Sequence, residues 1–262
     1  MSQNPPTLID SHCHLDFPEF DTDREAVVQA AENVGINHFV VPGVSKDTWP
    51  RLVSFHEQYM QSSIGFGLHP YFISQHVPAD IMALEHFLDL YPLAFVGEIG
   101  LDSRIESYEI QLKLFHQQLE IAEGLKRCVV LHHQKTQNDL LVAVKNILGS
   151  RSDSGLLHAF SGSYEQAMSW YEMGFKLGVG GVITYARAKK TRDAISRVPL
   201  ESLILETDSP DMPIEGKQGQ RNEPKNITHI FRALCELRSE SAAEIQTQIL
   251  KNTQNLFAIN AL

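Results

Sequence analysis

Eight short apolar runs recur along the chain, each followed by a longer amphipathic stretch. This alternation constrains the fold more than any other feature. The runs are TLIDSH, INHFVVPGV, SIGFGLHP, LAFVGEIG, CVVLHHQ, GLLHAFSG, FKLGVGGVI and LILETDSP. Helix-like segments separate them, among them 23–34, ESYEIQLKLFHQQLEIAEGL from Glu106 and SYEQAMSWYEMG from Ser163. Strand–helix alternation implies a parallel sheet with right-handed crossovers. Eight such units in 262 residues predict an α/β fold, a (β/α)8 TIM barrel in one domain across 1–262. A further helix from about Ser241 follows the eighth unit. It is expected to pack on the outside or the bottom of the barrel.

In such a barrel the βα loops converge at the C-terminal ends of the strands, and chemistry collects there. The residues at those ends are His12 and His14, then Gly43, His69, Glu98, His132, His158, Gly180 and Asp208. A lone histidine at a strand end is more often structural than a ligand. A histidine or an acid in the same place in run after run is harder to produce by chance. The first run extends into TLIDSHCHLD, where Asp10, His12 and His14 alternate. A strand through them would put all three on one face. His38, His56, His76, His86, His116 and His229 fall in loops, helices or early strand positions and are assigned no chemistry.

His12, His14, His132 and His158 with Glu98 and Asp208 exceed what one catalytic ion with an open position needs, which is about three protein ligands. They suit two divalent ions about 3.5–4 Å apart, bridged by a carboxylate and a water. Glu98 is the natural bridge, offering one oxygen to each ion. Some binuclear barrels use a modified lysine there, and a glutamate needs no modification. Asp208 can bind an ion and hold the attacking water. Glu98 and Asp208 are thus the expected catalytic residues, and the expected reaction is hydrolysis without a covalent protein intermediate. The ligand set leaves the ion open: imidazole suits Zn2+, while carboxylate and phosphate suit Mg2+ or Mn2+.

Other chemistries find no support. Ser161 lacks the G-x-S-x-G elbow, and neither a Walker A nor a Rossmann fingerprint is present. GVGGVI, Gly178 to Ile183, follows no dinucleotide pattern and is read as letting the seventh strand approach the site. The net charge of −10 disfavours a broad electrostatic grip on nucleic acid but leaves room for a small anion site built around cations. Cys13, Cys128 and Cys235 form no disulfide framework, which fits a reducing compartment. MSQNPP has no basic or apolar signal character, and no apolar run approaches the roughly 20 residues of a membrane span. A cytoplasmic protein is expected, and a monomer is compatible with the sequence.

The ordered motifs DSHCHLD, GLHP, GEIGLD, VVLHHQ, LLHAFSGS, ETDSPD and RNEP resemble those of the TatD family of metal-dependent hydrolases along nearly the whole chain. GFKLGVGGVITYARAKKTRD and DMPIEGKQGQ are similar to its YjjV-type branch. The resemblance implies a TIM barrel of the amidohydrolase type and a metal-dependent deoxyribonuclease or phosphodiesterase. It implies that His12, His14, Glu98 and Asp208 hold one ion and that Glu98, His132 and His158 hold the second. It implies further that His69 lies near the scissile phosphate, with Arg221 and Asn222 close to substrate. Many family members carry an arginine where this chain has Gln134, and glutamine supplies no cationic fork to a phosphate. The basic run Arg187, Lys189, Lys190 and Arg192 is a candidate compensation, though a solvated helix face is the simpler reading.

Three readings therefore stand. The first is a two-metal phosphodiesterase with DNA or another phosphodiester as partner. The second is a binuclear hydrolase of an aminoacyl ester, lactone or amide. The third is a metal-binding barrel without catalysis, which the His/carboxylate set at a barrel mouth disfavours, because structural zinc sites are closed and cysteine-rich.

Overall fold

The computed structural model describes residues 7–259; the MSQNPP segment and residues 260–262 lie outside the described residues. Eight parallel strands follow one another in chain order around a barrel. They are β1 (Leu8–Asp10), β2 (Ile36–Pro42), β3 (Ser62–Phe66), β4 (Phe95–Asp102), β5 (Val129–Gln134), β6 (Gly155–Leu157), β7 (Phe175–Val179) and β8 (Leu203–Leu205). Between and after them run α1 (Arg24–Glu32), α2 (Trp49–Gln58), α3 (Asp80–Leu90), α4 (Tyr108–Leu125), α5 (Gln137–Ile147), α6 (Tyr164–Glu172), α7 (Lys189–Arg197), α8 (Ile227–Leu237) and α9 (Ala242–Phe257). The TIM barrel expected from the alternation is the fold observed.

Period-two alternation sorts the strand residues. Leu8, Phe39, Val41, Val129, Leu131, Leu157, Leu203 and Leu205 belong to the large cluster shared with the surrounding helices. Ile9, Val40, Phe95, Val130, Leu156 and Ile204 form a second cluster inside the barrel, joined by Leu256 and Phe257 of α9. Helix α9 therefore closes the bottom. The Phe257 ring meets the Phe95 ring edge-on at 5.2 Å, and Asn252 donates to the carbonyls of Leu200 and Leu203. Its start is set by Ser241, whose hydroxyl accepts from the Glu244 N–H while the Glu244 side chain accepts from the Ser241 N–H. Ser163 and Gln166 form the same device at the head of α6.

The seam between β8 and β1 is closed by the segments following both strands. The Ser11 N–H and hydroxyl both donate to the Leu205 carbonyl, at 3.0 and 2.7 Å. The Asp208 N–H donates to the His12 carbonyl, and the His14 N–H to the Ser209 carbonyl. Among the described residues no helix is long and apolar enough to cross a membrane.

Candidate metal centre

The strand through Asp10, His12 and His14 is shorter than expected. β1 stops at Asp10, and its inward residue is Ile9. Asp10 turns to the β8 side, where its carboxylate accepts from the Thr207 N–H at 3.0 Å and the Thr207 hydroxyl at 2.5 Å. It is thus no member of the histidine face but a clasp on the seam. His12 and His14 meet all the same, because the segment after β1 bends over the barrel mouth and brings their Nε2 atoms to 3.3 Å. On β4 a register shift between Val96 and Ile99 breaks the alternation, and Glu98, expected at the strand's end, stands in its middle, three residues past the inward Phe95. On β5, β6 and β8 the alternation works directly. Two residues beyond the inward Val130, Leu156 and Ile204 stand His132, His158 and Glu206. Asp208 lies past the end of β8 with φ of +57°, a left-handed conformation that Asp tolerates better than most residues.

Glu98 is the hub. Its Oε2 lies 3.2 Å from His12 Nε2 and 3.5 Å from His14 Nε2. Its Oε1 lies 3.2 Å from His69 Nε2, 3.3 Å from His132 Nδ1 and 3.8 Å from His158 Nε2. Asp208 Oδ1 stands 3.5 Å from His12 and 3.8 Å from His14, and its Oδ2 stands 3.9 Å from His158. Donor atoms about 2.1 Å from one ion at tetrahedral angles are about 3.4 Å from each other. The spacing of His12, His14, Glu98 and Asp208 matches this, so the residues fit a divalent ion.

Hydrogen bonds on the far nitrogens assign the tautomers. His158 Nδ1 lies 3.1 Å from Glu206 Oε1, so its N–H points there and its Nε2 lone pair faces the centre. His132 Nε2 lies 3.3 Å from Asp102 Oδ2, which leaves Nδ1 for the centre. His69 is the reverse case. Its Nδ1 accepts from the Tyr71 N–H at 3.0 Å, so the proton sits on Nε2 and is donated to Glu98. His69 is therefore a donor facing the cavity, although it lies within ligand distance of Glu98 and His132.

Electrostatics follow the burial. Burial, with His158 stacked at 3.7 Å, lowers His12 to about 4. Burial also lowers His69 to about 4. His14 and His132 are pushed down by burial too, but carboxylates outweigh it and raise both to about 9: Glu98 for His14, Asp102 and Glu98 for His132. Burial raises Asp208 and Glu206 to about 7. Glu98 is nearly as buried as Glu206, yet the imidazoles around it hold it well below the carboxylate range.

The centre opens into a cavity of about 1170 Å³ whose wall includes Phe17, Tyr71, Arg104, Gln134 and Lys190. Arg221 and Asn222 are not part of that wall. Arg221 lies over the Phe20 ring and pairs with Asp23 and Glu223. Asn222 is buried and donates to the carbonyls of Thr207 and Met212, holding the loop that carries Asp208. The basic run divides. Lys190 reaches the cavity, Arg187 stacks on Tyr185, and Arg192 donates to the Ile183 carbonyl.

A family model described as TatD related DNase matches residues 9–258. The chain belongs to the TatD-related DNase family. It is 41% identical over 256 residues to the metal-dependent hydrolase YjjV of Escherichia coli K12, covering 96% of this chain and 98% of that protein. A metal-dependent hydrolase of Haemophilus influenzae is 36% identical over 263 residues, covering 96% and 99%. The crystal structure of the TatD homolog YjjV from Escherichia coli K12 superposes with a TM-score of 0.92 at 40% identity, over 96% of this chain and 98% of that one. As a member of a family of metal-dependent hydrolases, this TatD-family chain is an enzyme.

The sequence reading of this TatD-family site passed over Asp102, Glu206 and His133. Glu206 sits two residues before Asp208, the same interval as His12 and His14, and that interval was the available signal. Glu206 fits because Gly178 on β7 has no side chain: a Cβ there would lie 2.1 Å from Glu206 Oε2. The glycine-rich end of β7 thus makes room for a carboxylate that supports His158. His133 lines the cavity with a ring that burial lowers to about 3.

Proposed function

We propose that this protein is a two-metal phosphodiesterase that hydrolyses DNA with a water molecule as nucleophile. The observation that carries the reading is the division of Glu98, one oxygen toward His12 and His14 and the other toward His132 and His158. His12, His14, Glu98 and Asp208 would hold one ion, and Glu98, His132 and His158 the other. Divalent ions there supply Lewis acidity, which polarises the bond under attack and provides a nucleophile at neutral pH.

The chain's own groups do the rest. Asp208, on the open side of the centre, orients the attacking water and takes its proton. His69 keeps its Nε2 proton toward Glu98 and fixes that carboxylate between the two halves. Asp102 and Glu206 hold His132 and His158 in the tautomers that face inward. The cavity has the volume of a site for a ligand of nucleotide size or larger. The unpaired cysteines are in keeping with a cytoplasmic site of action.

Gln134 on the cavity wall, with Glu19, Asp139 and Asp211 nearby, favours a second reading in which an uncharged ester or amide is the substrate. The deciding assay places ion-loaded protein on end-labelled single-stranded DNA beside a panel of esters and amides, with a chelated control. Cleavage of DNA that chelation abolishes and divalent ions restore is expected. Turnover of an ester or amide with no cleavage of DNA would replace the nuclease reading by the second one.

A further inference from the structure

Arg104 stands on the turn after β4, and its side chain is 59% exposed where it lines the cavity. Exposed arginines usually sample many rotamers, but this one is held by a buried partner. Asp102, buried beneath it, accepts from Arg104 Nε at 3.2 Å, from Nη2 at 2.9 Å and from the backbone N–H at 2.8 Å. Nη1 makes no hydrogen bond among the described residues. The guanidinium thus presents a free edge at the mouth of the cavity, oriented by a buried carboxylate.

Its position matters. Asp102 pairs with Gln134 in the β4–β5 ladder, and the Ser103 N–H donates to the Gln134 carbonyl at 3.1 Å. Arg104 therefore rises beside the neutral Gln134. It is the one arginine among the described residues that line the cavity. Asp102 Oδ2 also faces His132 Nε2, and His132 Nδ1 faces Glu98. A single carboxylate ties the guanidinium to the proposed hydrolytic centre through two contacts.

We infer that Arg104 is a specificity-determining residue that grips a phosphate adjacent to the one cleaved. The inference rests on the phosphodiesterase reading and names what that reading leaves open: how a wall carrying Glu19, Asp139 and Asp211 accepts a polyanion. A planar guanidinium pre-set by Asp102 donates its free edge to a non-bridging oxygen. Substrates with a neighbouring phosphate gain from it, and a diester with a single phosphate does not.

The test compares KM for a short oligodeoxynucleotide and for bis(4-nitrophenyl) phosphate in ion-loaded wild type and Arg104→Gln, with ion content measured by elemental analysis. Arg104→Gln is expected to raise the oligonucleotide KM about ten- to a hundredfold, as for loss of a hydrogen bond to a charged group. The small diester should change little, and ion content should hold. The slope of log affinity against log salt for the oligonucleotide should fall by about 0.7. Gln134→Arg added to Arg104→Gln should recover part of the loss. An unchanged oligonucleotide KM, or an equal loss on both substrates, overturns the inference while the parent reading stands. A wild type that cleaves neither diester removes both together. If Arg104→Gln fails to load ions, Arg104→Lys decides: it keeps the charge without the fork, and a KM raised for the oligonucleotide alone supports the grip, whereas an unchanged KM overturns it.

Discussion

Each ligand imidazole of the centre turns one nitrogen inward, and the protein supports the other nitrogen in one half of the centre only. His158 and His132 lean on Glu206 and Asp102, while the Nδ1 atoms of His12 and His14 are buried without a partner among the described residues. Supporting carboxylates of this kind are worth about 10–100-fold in metal affinity. Glu206→Gln should therefore weaken ion binding by that factor in one half only, seen as the loss of one tight step in a calorimetric titration of ion-free protein. An isotherm identical to wild type would mean that Glu206 only fills space. Asp208 calls for a different variant. At φ of +57° most side chains are strained, but Asn tolerates the left-handed region nearly as Asp does. Asp208→Asn should keep the thermal midpoint near wild type and lose at least about 10²-fold in kcat, the scale for removing a general base. A variant that retains most of its turnover would take the proton-accepting role away from Asp208.

Strand β7 shows how an element shapes a site to which it gives no ligand. Gly178→Ala drives a Cβ into the Glu206 carboxylate at 2.1 Å. We expect it to cost about 1–3 kcal/mol, as overpacking does, and to weaken ion binding in the same half as Glu206→Gln. Urea unfolding and ion titration on one preparation would check both, and a stability loss without an ion effect would uncouple β7 from the centre. The same element marks the limit of what the chain discloses before it folds. His69, His132, His158 and Asp208 are legible because each stands at or just past the end of an apolar run and the runs alternate with helices, whereas Glu98 stands in the middle of β4, whose ladder runs on to Asp102. Glu206 was hidden because it lies inside the polar end of its run rather than at its close, and the strand ends at Leu205 rather than at Asp208. Asp10 misled for the opposite reason: it alternates with His12 and His14, but the ladder stops before the histidines begin. The separation of Arg221 and Asn222 from the cavity depends on a partner in α1's approach and on a loop over the seam, and no local spacing encodes either.

At the scale of the molecule, the barrel has a polar mouth and an apolar floor, and changes at one end should leave the other intact. Phe257→Ala removes the ring that packs on Phe95 and should cost about 3–5 kcal/mol. Denaturant unfolding of ion-free protein would measure it, while ion affinity in the folded fraction stays at the wild-type value; a joint loss would mean that floor and mouth are coupled. His38, on β2 away from the mouth, supplies a pH marker. Burial first, with His56 as neighbour, lowers it from 6.5 to about 4, and its Nε2 lies 2.9 Å from the Ser63 hydroxyl. Between those values the unfolded chain binds a proton that the folded chain refuses. Its contribution is complete above about 6.5 and is lost as pH falls toward 4, with a slope of about 1.4 kcal/mol per pH unit. His38→Gln should flatten the stability–pH curve of ion-free protein by that amount over that window, and a curve of unchanged slope would show that His38 does not titrate there. The floor also bears on synthesis. Ile9 and Phe257 belong to one cluster, and Gln246 donates to the Thr7 carbonyl across 239 positions. A ribosome adding about 5–20 residues per second delivers the floor roughly 12–50 s after the strand it must cover. Through that interval Ile9 lacks the α9 residues that share its cluster. A nascent chain arrested before α9 is therefore expected to aggregate more readily than the finished one, and slower translation to lengthen that exposure.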